Sequence, residues 1–239
     1  MKTLPDRPVV YLLPGLLCDD IVWEPQVRSL GADYDIRIPK FFGFDSLAAM
    51  ARSVLATAPA RFSIAGHSMG GRAAMEVFRL APERIERLGL MDTGVHTVRD
   101  HEPERRAALT ALGYEKGMGA VADAWIPPMI HPDHLSDTAM MDALRAMVMR
   151  ATPEIFEGQQ KALLERPDAG PLLPTIACPT MVLCGRQDAW SPFSHHVEIA
   201  ADIKGAVLVP IEDSGHMVTM EQPQAVNAAL RAWLETGAR

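Results

Sequence analysis

Residues suited to acyl-transfer chemistry lie in three separate parts of this chain. The first part is Gly66-His67-Ser68-Met69-Gly70. Ahead of it, Phe62-Ser-Ile-Ala65 reads as a short buried strand. Behind it, Ala73, Ala74, Val77, Phe78 and Leu80 recur at helical spacing until Pro82 closes the segment. A serine with glycines two residues away on each side, between a strand and a helix, can occupy a sharp turn that projects its hydroxyl. A hydroxyl is a weak nucleophile until a base takes its proton. Ser68 therefore needs a histidine and an orienting acid from elsewhere in the chain.

Other strand-like runs are Val9-Val-Tyr-Leu-Leu13, Tyr34-Asp-Ile-Arg-Ile38, Leu88-Gly-Leu-Met91, Thr180-Met-Val-Leu-Cys184 and Ala206-Val-Leu-Val209. Helical patterns at about 21–30, 45–58, 69–81, 193–202 and 219–236 separate most of them. Such alternation predicts an α/β fold: a mostly parallel sheet of about six strands flanked by helices. The gap between the fourth and fifth strands exceeds one crossover helix. Residues 97–169 carry helical patterns around 103–112, 117–124, 136–150 and 153–165, broken at Ile126-Pro-Pro-Met129 and Arg166-Pro-Asp-Ala-Gly-Pro171. This stretch is expected to be an inserted helical cap on a core formed by residues 1–96 and 170–239.

Ligands of open parallel sheets bind beyond the carboxyl ends of the strands. The segments that follow strands are Pro14-Gly15-Leu16-Leu17, Ser68, Gly185-Arg-Gln-Asp188 and Asp213-Ser-Gly-His216, so a nucleophile, an acid and a histidine are expected at one edge. Asp92, in Leu90-Met-Asp-Thr-Gly94, also follows a strand and competes with Asp188 as the acid. Asp213 lies too close to His216 in sequence and is expected to brace the loop with its carboxylate. An unperturbed imidazole titrates at about 6.5, which suits His216 to accept the Ser68 proton at neutral pH.

With these segments in hand, nearly the whole chain resembles the α/β-hydrolase superfamily. The order Ser68, Asp188, His216 is similar to that family's order of nucleophile, acid and base. Gly185-Arg-Gln-Asp188-Ala-Trp-Ser-Pro192 and Asp213-Ser-Gly-His216 look like its signatures around acid and base. The resemblance implies Asp188 as the triad acid, and backbone N–H groups of Leu16 and Met69 as oxyanion donors. The chain departs from the fuller pattern in having one strand before its first long helix. It also carries Pro14-Gly15 where many relatives carry His-Gly; proline lacks an N–H but leaves that of Leu16 free.

Composition excludes several classes. The 239 residues are 48% hydrophobic and 22% charged, as in a globular protein with a real core, and the net charge of −7 comes without a long basic run. Nucleic acid and anionic membrane are therefore not expected partners. The first eight residues have no apolar signal region, and no apolar run approaches a membrane span. Cys18, Cys178 and Cys184 lack zinc or redox spacing and are expected as reduced thiols in a cytoplasmic protein. His131-Pro-Asp-His134 supplies too few ligands for zinc. No metal and no cofactor are expected.

The expected activity is hydrolysis of a carboxylic ester, thioester or lactone of a small molecule. Leu17, Trp23, Trp125, Met129, Trp190 and Met217 are the candidate substrate-binding residues, suggesting an apolar acyl or aromatic ester. Arg72 either faces inward to bind a carboxylate or, as favoured by its helix position, is solvated. The same resemblance admits a carbon–carbon bond hydrolase or lyase, toward which Gly70-Gly71-Arg72 points, and a non-catalytic ligand sensor.

Overall fold

In a computed structural model describing residues 7–236, the strand-like runs form one six-stranded parallel sheet. The strands are β1 (Val9–Leu13), β2 (Asp35–Arg37), β3 (Phe62–His67), β4 (Ile85–Met91), β5 (Thr180–Gly185) and β6 (Val207–Ile211), in the order β2-β1-β3-β4-β5-β6. Every residue of β3 and β5 is buried, the pattern of strands covered on both faces. Edge strand β6 instead exposes Val207. Because all six strands run one way, their carboxyl ends share one edge.

The flanking helices are α1 (Glu24–Leu30), α2 (Leu47–Thr57), α3 (Met69–Leu80), α7 (Phe193–Asp202), α8 (Val218–Glu221) and α9 (Pro223–Glu235). The pattern over 219–236 is two helices, not one. Gln222 leaves helical geometry (φ −131°, ψ 58°) ahead of Pro223, as a residue before proline tends to do. Between β4 and β5 lie α4 (Glu102–Trp125), α5 (Thr138–Met149) and α6 (Pro153–Leu164). The patterns at 103–112 and 117–124 fall within the single element α4, kinked at Gly117, whose φ of 79° suits glycine. No helix among the described residues is long and apolar enough to cross a membrane.

Polar contacts tie this helical insertion to the sheet layer. Gln159 of α6 accepts the Leu17 N–H at 2.8 Å and donates to the Phe41 carbonyl at 3.1 Å, all buried. On the far side, the Met129 carbonyl accepts the N–H of His216 at 2.7 Å.

Candidate active site

Ser68 is the turn between β3 and α3. Its φ of 56° and ψ of −117° lie outside the comfortable regions for a side-chain-bearing residue, at a cost of about 1–3 kcal/mol. Its N–H donates to the Met91 carbonyl at 2.9 Å, and the Thr93 hydroxyl donates to its carbonyl at 2.8 Å. The flanking glycines answer to close packing: a Cβ on Gly66 would lie 2.1 Å from the Gly70 carbonyl oxygen, and one on Gly70 would lie 2.2 Å from that of Leu13. The backbone therefore passes where any larger residue would collide.

From the loops after β5 and β6 come the partners. His216 Nε2 lies 2.9 Å from Ser68 Oγ, and His216 Nδ1 lies 2.8 Å from Asp188 Oδ2. Asp188 Oδ1 accepts the N–H groups of Trp190 at 2.8 Å and Ser191 at 2.9 Å. Burial pushes the Asp188 carboxyl upward, but His216 and these two donors outweigh it and hold it below the ordinary carboxylate value. Asp188 is thus an ionised carboxylate facing an imidazole that faces a hydroxyl.

The imidazole is pinned from behind. His67, beside the serine, turns away from it and donates from Nε2 to the His216 carbonyl at 2.6 Å. Burial pulls its pKa down to about 3, so His67 is a neutral structural donor. Buried Glu221 accepts the N–H groups of Gly215 (3.2 Å), Met217 (3.0 Å) and His131 (2.8 Å). A Cβ on Gly185 would stand 2.1 Å from the Gly215 carbonyl oxygen, so the acid and histidine loops pack backbone on backbone. Asp213 is exposed, and it is its carbonyl that accepts from Gln222 at 3.0 Å, where the sequence suggested its carboxylate.

Asp92, the rival acid, does not touch His216. Its Oδ1 accepts the Gly185 N–H at 2.9 Å, while Oδ2 lies 3.8 Å from His67 Nε2 without a hydrogen-bond partner among the described residues. Burial, then the neighbouring Asp188 charge, push its pKa well above the usual value, making it a neutral acid behind the ionised one. Asp92, Cys184 and Asp188 bring their ligand atoms within 4.8 Å of one another. A metal there would have to displace protons that burial holds on Asp92 and on Cys184.

A cavity of about 480 Å³ opens over Ser68, with Leu16, Met69 and His216 in its lining. A Cβ on Gly15 would lie 3.3 Å from Ser68 Cβ, so the loop carrying Leu16 passes beside the serine. Of the six apolar residues expected around substrate, Trp125 and Trp190 line this cavity, their ring centroids 6.0 Å apart edge to face. Leu17, Trp23, Met129 and Met217 do not line it and are buried in the hydrophobic core. Arg72 reverses the favoured expectation. It faces the cavity, half-buried, with Nη1 donating to the His96 carbonyl at 3.0 Å. Residues not anticipated here are Arg99, Arg105, Arg106, Arg166 and Glu102. The available signal was the run Arg99-Asp-His-Glu-Pro-Glu-Arg105-Arg106 opening the insertion just after β4.

A family model described as the alpha/beta hydrolase family matches residues 6–229. The chain belongs to this family. It is similar to the pimeloyl-[acyl-carrier protein] methyl ester esterase of Neisseria meningitidis serogroup B, at 26% identity over 100% of this chain and 97% of that one. It is also similar to the RutD protein of Caulobacter sp. (strain K31), named as a carbamate hydrolase, at 26% identity over 96% and 91% of the two chains. Among solved structures, a thermophilic esterase from Thermogutta terrifontis, with malate bound, superposes with a TM-score of 0.86 at 28% identity, covering 96% of this chain and 90% of the other.

Proposed function

We propose that the protein is a serine hydrolase that cleaves a carboxylic ester, thioester or lactone through an acyl-enzyme. The observation carrying this reading is the continuous hydrogen-bonded relay from Ser68 Oγ through His216 to Asp188 at 2.9 and 2.8 Å. As Ser68 Oγ attacks the carbonyl carbon, His216 Nε2 takes its proton, and Asp188 stabilises the imidazolium through Nδ1–H. The Leu16 and Met69 N–H groups receive the developing oxyanion, each such donor contributing about 3 kcal/mol to barrier lowering. Nε2 then protonates the departing alkoxide. Water, deprotonated by the same nitrogen, attacks the acyl carbon, and Nε2 returns that proton to Ser68 Oγ as the acyl–serine bond breaks and the acid leaves.

Ester-cleaving relatives support this choice of bond, with carbamate cleavage the second reading that a relative's name favours. The substrate is a small molecule handled without a cofactor. Three free thiols, two of them buried, fit a reducing, cytoplasmic setting. The test is fluorophosphonate labelling with mapping of the modified residue, beside turnover of 4-nitrophenyl butyrate, an aryl carbamate and a 2-hydroxy-6-oxo dienoate. Label on Ser68 and ester turnover abolished by Ser68→Ala are the expected results. Ester turnover that survives Ser68→Ala, or exclusive turnover of the carbamate or dienoate, overturns the ester assignment.

A further inference from the structure

Five arginines line the cavity above Ser68, in a chain whose net charge is −7. Two of them already have a counter-charge. Glu102 takes Arg166 at 2.6 Å and Arg106 at 2.7 Å, and although burial raises its pKa, those two cations hold it well below the usual value. The other three have no carboxylate partner among the described residues. Arg72 donates to the His96 carbonyl at 3.0 Å. Arg99 reaches imidazole nitrogens of His96 and His195 at 3.4 and 3.5 Å. The Arg105 guanidinium lies 5.7 Å from the centroid of the Trp190 ring.

These cations have a definite disposition. Arg72 is one helical turn past Ser68, four residues on and so on the same side of α3, and it is half-buried. Arg99 and Arg105 are exposed and stand at the solvent side of the same cavity. Burial, then Arg166, Arg106 and Arg99, pull the Arg72 pKa down to about 9, with Glu102 opposing them. Guanidinium does not surrender its proton in proteins, so Arg72 stays a cation whose hydrogen-bond partner among the described residues is the neutral His96 carbonyl. His96, drawn down to about 4 by burial and then by Arg72, Arg99 and Arg166, adds no charge of either sign. Planar guanidinium forks match carboxylates, and a charged mouth concentrates anionic substrate.

We propose that this cavity selects esters carrying a separate ionised carboxylate, which Arg72 binds a few bonds from the scissile carbonyl while Arg99 and Arg105 draw it in. The inference rests on Ser68 as the nucleophile. It replaces the apolar acyl or aromatic ester that the sequence suggested with a half-ester of a short dicarboxylic acid.

The test compares mono-4-nitrophenyl glutarate with 4-nitrophenyl valerate, close in shape and differing in the terminal carboxylate. Wild type is expected to favour the half-ester at least tenfold in kcat/KM. Arg99→Gln with Arg105→Gln, both exposed positions that should fold normally, should cut that preference at least fivefold, and Arg72→Gln should cut it further. Arg145→Gln, on the outer surface, should leave the ratio alone. Equal or better use of the neutral ester, or a ratio unmoved in the cavity variants, overturns the proposal. If neither ester turns over, the assigned chemistry has failed, and the carboxylate site is then read separately by thermal shift with glutarate. Stabilisation lost in Arg72→Gln supports the site, and no stabilisation of wild type overturns it.

Discussion

Asp188 holds the Nδ1 side of His216 at 2.8 Å with one carboxylate oxygen and two backbone N–H groups with the other. Asp92, close behind, is kept neutral by burial and by that neighbouring charge. Two aspartates at the ends of adjacent strands have thus been driven to opposite protonation states, and only the ionised one reaches the imidazole.

This separation makes a kinetic prediction. Asp188→Asn should lower kcat for 4-nitrophenyl butyrate by about 10⁴, because the histidine loses both its tautomer and its counter-charge. Asp92→Asn, which keeps an oxygen for the Gly185 N–H, should lower kcat by less than about tenfold. Stopped-flow or steady-state rates on the two variants decide it. Comparable losses would return Asp92 to the reacting group.

The same pair governs how stability varies with pH. A carboxyl whose folded pKa is raised stays protonated in the fold but ionises on unfolding, so stability falls as pH rises from about 3.8 toward the raised value. Asp92→Asn removes this loss, so its melting temperature relative to wild type should climb between pH 4 and pH 8. His67 acts in the other direction. With a folded pKa of about 3 against 6.5 unfolded, its contribution is complete above pH 6.5 and is lost as pH falls toward 3. Both proteins should therefore share an acid limb. A melting-temperature gap independent of pH would mean that Asp92 is ionised in the native state.

Glu102 provides a test on the cavity wall. Its carboxylate faces the Arg166 side chain, which is 1% exposed. Glu102→Gln removes the counter-charge and leaves that guanidinium with neutral acceptors alone, one side-chain amide oxygen and the carbonyls of His96, Thr97 and Leu163. Breaking one side of a buried pair should destabilise by about 3–5 kcal/mol. The exposed neighbour Glu104→Gln should change stability by under about 0.5 kcal/mol. Urea unfolding measures both, and a loss below about 1 kcal/mol for Glu102→Gln would show that neutral acceptors sustain the cation without a counter-charge.

Much of the fold was legible because parallel strands buried on both faces leave uninterrupted apolar runs; β1 and the start of β5 coincide with theirs. Strand β4 begins earlier than its apolar run, at Ile85, because half-buried Glu86 and Arg87 hide its first turn from periodicity. Ser68, Asp188 and His216 were readable as neighbours because each follows a strand of one parallel sheet. The cavity wall was not. Apolar residues of α3 define the face toward the sheet, and Arg72 sits off that face, where an isolated helix would meet water. The loop after β4 and the insertion beyond it turn the position into an interior one. Trp23 and Met217 show the converse: proximity in sequence to reactive residues does not decide whether an apolar side chain meets ligand or core.

The Met129 carbonyl bonded to the His216 N–H, and Glu221 gathering the amides of Gly215, Met217 and His131, bear on how the helical region could be exchanged between relatives. A graft that swapped the segment between β4 and β5 wholesale would remove half of the clasp that seats the imidazole. Chimeras should therefore retain residues 129–131 from the recipient. Specificity is open to recombination on the arginine side of the opening, whereas the proline-rich side is bound to the chemistry itself.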